Sequence, residues 1–406
     1  MLSTYRAVLS RPGAAAFSTS GALARLPMST VGIAIVLMAE AVYGSYALGG
    51  RVSAAYVITH AICSPQLAKL VDRHGQARVM RPAITVAALG IAGLVVVGVL
   101  ALPSFWLYPA AIVTGAGIGS IGALARARWS HLLTEPRDIH TAFSLEAVLD
   151  ETVFVIGPIL ATVLATSVHP VGGLALPFVA LLVGGHLFLA QRATEPPPSR
   201  RPRRTGDRHV MRAGGMISIA LVFMFVGAIF GATDVATIAF AKEQGSPGAA
   251  GPVLGVFAAG SLLAGLAFGA KHWVGPMWRR FVLGIVVLAA GTSAFVAVTS
   301  LPVLAVVMFV VGGAIAPTMI TGNAMIRELV PARQLTEGLT WAGTSMGVGV
   351  SFGSSIAGQW VDAVGSHGGF LVVMVAAGVA VVTALVTIKP LRAAPGARVV
   401  EVLEAE

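Results

Sequence analysis

The chain has 406 residues, of which 56% are apolar and only 11% charged, with a mean hydropathy of +0.86 and a formal net charge of +10. A soluble chain of this length carries about a quarter charged residues, so this one has too little polar side chain to clothe a water-soluble globule. The single cysteine, Cys63, excludes an intrachain disulfide, and the positive charge lies in short clusters between apolar runs rather than on one nucleic-acid-binding face.

Apolar runs fall at 15–40, 48–70, 79–101, 104–127, 140–167, 171–191, 212–241, 248–270, 279–299, 302–325, 335–361 and 367–388. Shared among twelve, the 406 residues leave about 34 for each helix and its loop, against the ~20 a bilayer crossing requires. Glycine and alanine pervade the runs, and the ten-residue alternation of barrel strands is absent. The expectation is an all-α polytopic membrane protein of twelve helices, in two pseudo-symmetric six-helix bundles.

The first run follows Arg6 and Arg11 and imitates a secretory signal, but Arg25 interrupts it and it outlasts a signal core. It reads as a spanning helix with Glu40 near its far end. Between the second and third runs stands LAKLVDRHGQARVMRP, residues 67–82. The fourth run contains Gly117-x-Gly119-x-x-Gly122, letters of a dinucleotide fingerprint without the preceding strand, so small residues for helix packing explain it better.

The fifth run holds Glu146, Asp150 and Glu151, followed by Gly157-Pro158. Residues 192–212, with seven arginines and four prolines, predict a solvated linker. The domains expected are therefore 1–191, a basic linker 192–211, and 212–406. The seventh run carries Asp234. The eleventh carries Gly349-Val350-Ser351-Phe352-Gly353, a hydrolase elbow in letters only, and Gly358-x-x-x-Asp362-x-x-Gly365. No nucleotide-binding Walker sequence occurs, the histidines show no metal spacing, and no cofactor is expected.

Orientation follows from the basic residues. With a cytoplasmic N-terminus, all of the 27 Lys and Arg except Arg25, Arg51 and Lys242 fall on the inner side, including Arg126 and Arg128 at the inner end of the fourth helix. A multi-pass protein of the cell membrane, with both termini cytoplasmic, is predicted.

The 67–82 loop resembles the loop signature of the major facilitator superfamily, G-x-L-x-D-R-x-G-R-R. Asp72, Arg73 and Gly75 match its fixed part and Arg78 and Arg81 its trailing bases, while Ala68 and Gln76 depart from it. Gly75 suits a tight turn and Asp72 is an anion available to a helix N-terminus. The resemblance implies that Asp72, with Arg73, Gly75 and Arg78, forms a conformational latch, Asp72 meeting the region around Leu335–Gly338. It also implies alternating access between two six-helix halves. Gly157-Pro158 resembles part of the fifth-helix signature of proton-exchanging exporters, though the preceding glycines are absent. A plain helix kink is the competing reading.

Ionisable groups at membrane depth cost about 2.5–3.5 kcal/mol each unless paired or hydrated. At 1.5 Å per residue Arg25 and Asp150 both lie roughly 15 Å from their helix starts, and the resemblance makes helices one and five neighbours. Glu146 and Asp150, four apart, share a face. An Arg25–Asp150/Glu146 pair is expected, either as a proton-coupling device or as a permanent structural tie. Glu151 is expected to meet Arg126 or Arg128, and Asp234 to face a hydrated pathway. The reading is a non-enzymatic, monomeric secondary transporter handling a small-molecule substrate and protons amid membrane lipid, with export of amphipathic molecules by proton exchange as the leading mechanism. Uptake of a small metabolite is the runner-up, and a membrane-embedded receptor or hydrolase the alternative from another class.

Overall fold

Lipid offers backbone polar groups no partner, so each crossing segment must satisfy its own N–H and C=O groups, and helices do this locally. A computed structural model describes residues 2–198, 210–212, 215–246, 249–271, 273 and 275–387; among these every regular element is helical. After the short α1 (Leu2–Leu9) come α2 (Ala14–Tyr43), α3 (Tyr46–His74) and α4 (Gln76–Val99). The fourth crossing is made of α5 (Leu107–Ile118) and α6 (Ile121–Leu132), the fifth of α7 (Pro136–Ser167). The sixth comprises α8 (Gly172–Val179), a π-helical turn at Ala180–Gly185 and α9 (His186–Ala190).

The seventh to ninth crossings are α10 (Met216–Glu243), α11 (Ala250–Ala270) and α12 (Met277–Ser293) with a 3-10 turn behind it. The tenth is α13 (Leu301–Gly312) with α14 (Ile315–Leu329); α15 (Leu335–Val364) and α16 (Ser366–Val386) complete the twelve. Ten of these segments are long and apolar enough to cross a membrane. The other two, α3 and α15, are 29 and 30 residues long and carry more polar side chains, Lys69, Asp72, Arg73, Glu337 and Asp362 among them. Large apolar side chains such as Ile58 and Ile62, or Val306 and Val310, stand exposed one turn apart, as a lipid-facing surface requires.

The chain forms two compact units, one of Ser3–Ala142 and Leu149–Pro202, the other of Met1–Leu2, Phe143–Val148 and Arg203–Glu406. Within each, glycine lets backbones meet. In the first, a Cβ on Gly117 of α5 would overlap the Ala83 carbonyl of α4. In the second, Gly227 and Gly231 of α10 lie on Met346 and Val350 of α15, while Gly349 and Gly353 of α15 lie on Met224 and Ala228 of α10. With no hydrophobic drive between helices in lipid, this close packing holds them together.

Three features correct the sequence reading. The fourth and tenth runs are not single helices. Gly119, at φ 63° and ψ −167°, separates α5 from α6, and Gly313–Ala314 separates α13 from α14. Arg126 and Arg128 do not sit at a helix end: α6 runs on to Leu132 and both are buried, at 8% and 0% exposure. The solvated linker begins later than 192, because Thr194 is buried and Glu195 is tied into the first unit, while 199–209 lie outside the described residues.

Candidate functional site

Three helices of the first unit converge on one carboxylate. Arg25 of α2 places Nη1 3.0 Å from Asp150 Oδ1, and Arg126 of α6 places Nη2 2.7 Å from Asp150 Oδ2. Arg126 also donates through Nη1 to the Gly122 carbonyl at 3.3 Å. The two guanidinium groups are shut in, with side-chain exposures of 1% and 10%, whereas Asp150 on α7 keeps 32%. The carboxylate is thus the open face of an otherwise buried ionic cluster.

Local sequence builds this meeting point. Ser29 of α2 donates to the Val153 carbonyl of α7 at 3.0 Å, and Gly157 lies against Ser29 and Thr30, so the two helices touch just beyond the ion pair. Helix α7 continues unbroken across Pro158. Gly122 leaves room from the third side: a Cβ there would stand 3.0 Å from Arg126 Nη1 and 3.7 Å from Asp150 Oδ1. The three glycines of the false dinucleotide motif therefore divide their duties. Gly117 packs, Gly119 interrupts the helix and Gly122 floors the charge cluster.

The expected Arg25–Asp150 contact is present. Of the two arginines offered as partners for Glu151, Arg126 reaches Asp150 instead, because positions 150 and 151 diverge by about 100° around a helix. Arg128 turns elsewhere: Nε donates to Gln76 Oε1 at 2.7 Å, Nη1 to the Gln191 carbonyl at 2.9 Å and Thr194 Oγ1 at 3.0 Å, and the guanidinium lies 4.0 Å from the Phe188 ring centroid. Glu146 is fully buried one turn before Asp150, and Glu151 is half-buried. In the second unit Asp234 stands exposed on α10, one turn from Phe230, whose ring packs near Phe257 of α11. No hydrogen bond or ion pair reaches Asp234 among the described residues.

At the α3–α4 junction, Gly75 has φ 95° and its N–H donates to the Val71 carbonyl at 2.8 Å. Asp72 is half-buried in the last turn of α3, with Arg73 and Arg78 exposed on either side of the glycine. Glu195 accepts from the Ala77 N–H at 3.0 Å and so caps α4. The second unit repeats this device: Gly365, φ 81°, ends α15, and Glu243 accepts from the Ser366 N–H at 2.7 Å and from its hydroxyl. Both capping glutamates escaped sequence reading, since each lies more than a hundred residues from the helix it caps. The shared D-x-x-G spacing was the available signal.

The remaining motifs lie within helices. Ser351 sits mid-helix and donates to the Gly347 carbonyl, one turn back. Among the described residues no three His, Cys, Asp or Glu side chains gather as a metal site would need.

Comparison with known proteins places this architecture. The profile of the Major Facilitator Superfamily matches residues 17–277 and 219–401. No curated protein matches in sequence. Among solved structures, the human organic anion transporter MFSD10 (TETRAN) is similar at a TM-score of 0.69 and 13% identity, with 94% of this chain and 99% of that chain covered. A bacterial homologue of the iron transporter ferroportin, in an outward-facing state, is similar at 0.70 and 15% identity, covering 92% and 99%. At such identities these likenesses speak for the fold. The chain belongs to the major facilitator superfamily.

Proposed function

We propose that this superfamily member is a secondary active transporter that exports small amphipathic molecules in exchange for protons, with Asp150 as the coupling carboxylate. The observation that carries the reading is a carboxylate one-third open, held by two buried arginines, inside segments apolar enough on average to cross a membrane. Protonating Asp150 removes the countercharge of both guanidinium groups at once, so proton uptake necessarily disturbs how α2, α6 and α7 are held together. That is what coupling needs: a local charge change acting on packed elements that have more than one arrangement. Asp234, exposed and without an ion-pair partner among the described residues, serves as a second acid on a hydrated path.

Around this centre the chain crosses the cell membrane with both termini cytoplasmic. The Asp72–Arg73–Gly75–Arg78 turn acts as the latch of its inner face, and the basic, proline-rich stretch that follows Glu195 as the linker between halves. The supports are the distribution of basic residues and the rigid Gly75 junction.

Purified protein in proteoliposomes, with a pH gradient imposed and dye and metabolite fluxes followed both ways, tests the reading. Gradient-driven dye flux that stops when a protonophore collapses the gradient, and that Asp150→Asn abolishes, is expected. Flux indifferent to the gradient, or unchanged in Asp150→Asn, would sink it.

A further inference from the structure

Irregular backbone at membrane depth persists only where protein buries it or where it lines a cavity. Here the fourth crossing of each half changes course after twelve helical residues: at Gly119, φ 63°, the backbone leaves helical torsions after Leu107–Ile118, and at Gly313–Ala314 it tightens into i→i−3 bonds after Leu301–Gly312. Paired interruptions in corresponding segments of two halves mark the binding region of a transporter. The two breaks differ in chemistry. Beside the second, Thr318 and Thr321 spend their hydroxyls on the Ala314 and Pro317 carbonyls of their own helix, each at 2.7 Å. Beside the first lies the positive end of the twelve-residue α6, with no side-chain cap, together with Arg126 and Arg25.

We infer that the α5–α6 break is a subsite for an anionic group, a carboxylate, of the transported molecule, taken by Arg126 in the place Asp150 now occupies. The identification of the ligand as cargo rests on the transport reading above. Five considerations carry the sign of the charge. Arg126 is buried, and among the described residues its Nε has no hydrogen-bond partner, so its fork is not exhausted by Asp150. Asp150 is the exposed member and the arginines are not, so the carboxylate can leave while the guanidinium groups stay. A ligand carboxylate offers the two guanidinium groups what Asp150 does, one oxygen to Arg25 and one to Arg126. An organic cation approaching Asp150 would instead meet two guanidinium groups already 3.0 and 2.7 Å from its oxygens. The uncapped N-terminus of α6 adds its partial positive charge at the same end.

The test uses the full chain in detergent and three amphipathic probes of one shape: 1-naphthoate, its uncharged amide, and 1-naphthylmethylamine. Binding is read by tryptophan fluorescence and by melting temperature. The wild-type protein is expected to prefer naphthoate over both others by about tenfold. Arg126→Gln removes that preference, and Gly122→Ala, which keeps every charge but presses a methyl 3.0 Å from Arg126 Nη1, weakens it. Equal affinity for the acid and the amide in the wild type overturns the inference without any variant having to fold. So does a preference that survives in folded Arg126→Gln, which would leave the cluster a structural tie. Flux in proteoliposomes separates the two claims: carboxylate-selective binding without transport removes the transport reading alone, and transport without carboxylate selectivity removes this inference alone.

Discussion

Replacing Asp150 by asparagine keeps its size and one acceptor oxygen and removes the charge that faces Arg25 and Arg126. Breaking a buried ion pair from one side costs about 3–5 kcal/mol, because it strands the opposite charge. Asp150 retains 32% side-chain exposure while the arginines retain 1% and 10%, so water compensates part of the loss, and about 3 kcal/mol is expected. Arg126→Gln should cost a similar amount. The double variant should cost little more than either alone, a coupling of about 2 kcal/mol, because the 2.7 Å contact can be lost only once. Reversible unfolding by dodecyl sulfate in mixed micelles, followed by far-UV circular dichroism, measures all three. A cost for Asp150→Asn below about 0.5 kcal/mol, or strictly additive effects, would refute the claim that this carboxylate holds the two helices' charges.

Two further expectations concern how the helices are held. Gly349→Ala drives a methyl into the Met224 carbonyl of α10 and should cost about 3 kcal/mol or more in the same unfolding assay, whereas Gly378→Ala on α16, with open space around it, should be neutral or slightly stabilising. Removing the glutamate caps should loosen only the helix each serves. Hydrogen exchange is expected to quicken about fivefold, ~1 kcal/mol, in the first turn of α16 for Glu243→Ala and of α4 for Glu195→Ala, without spreading along either helix.

Much of the site was visible one residue at a time and invisible as a site. Arg25, Glu146, Asp150 and Asp234 announce themselves because charge is rare in these runs, and the Arg25–Asp150 contact was within reach of depth arithmetic. Arg126 on Asp150 was not, since the choice between positions 150 and 151 depends on how α7 is rotated against α6. Arg128 shows the opposite failure. In the sequence it reads as a base at the inner end of the fourth helix and a candidate partner of Glu151, and only Gln76, Gln191, Thr194 and Phe188, brought from other segments, make its burial tolerable.

The fold class was legible because a membrane helix satisfies its backbone within its own segment, so apolar length marks ten of the crossings, while the more polar α3 and α15 complete the count only as long helices between them. The break at Gly119 was harder to see, because a glycine that packs and a glycine that turns are the same letter until a neighbouring backbone is in place. The meeting of Arg25, Arg126 and Asp150 belongs to tertiary structure entirely. The Arg25 and Asp150 side chains are 125 residues apart in sequence, and their 3.0 Å contact exists only because α2 and α7 lie close enough at Ser29 and Gly157 to bring them together.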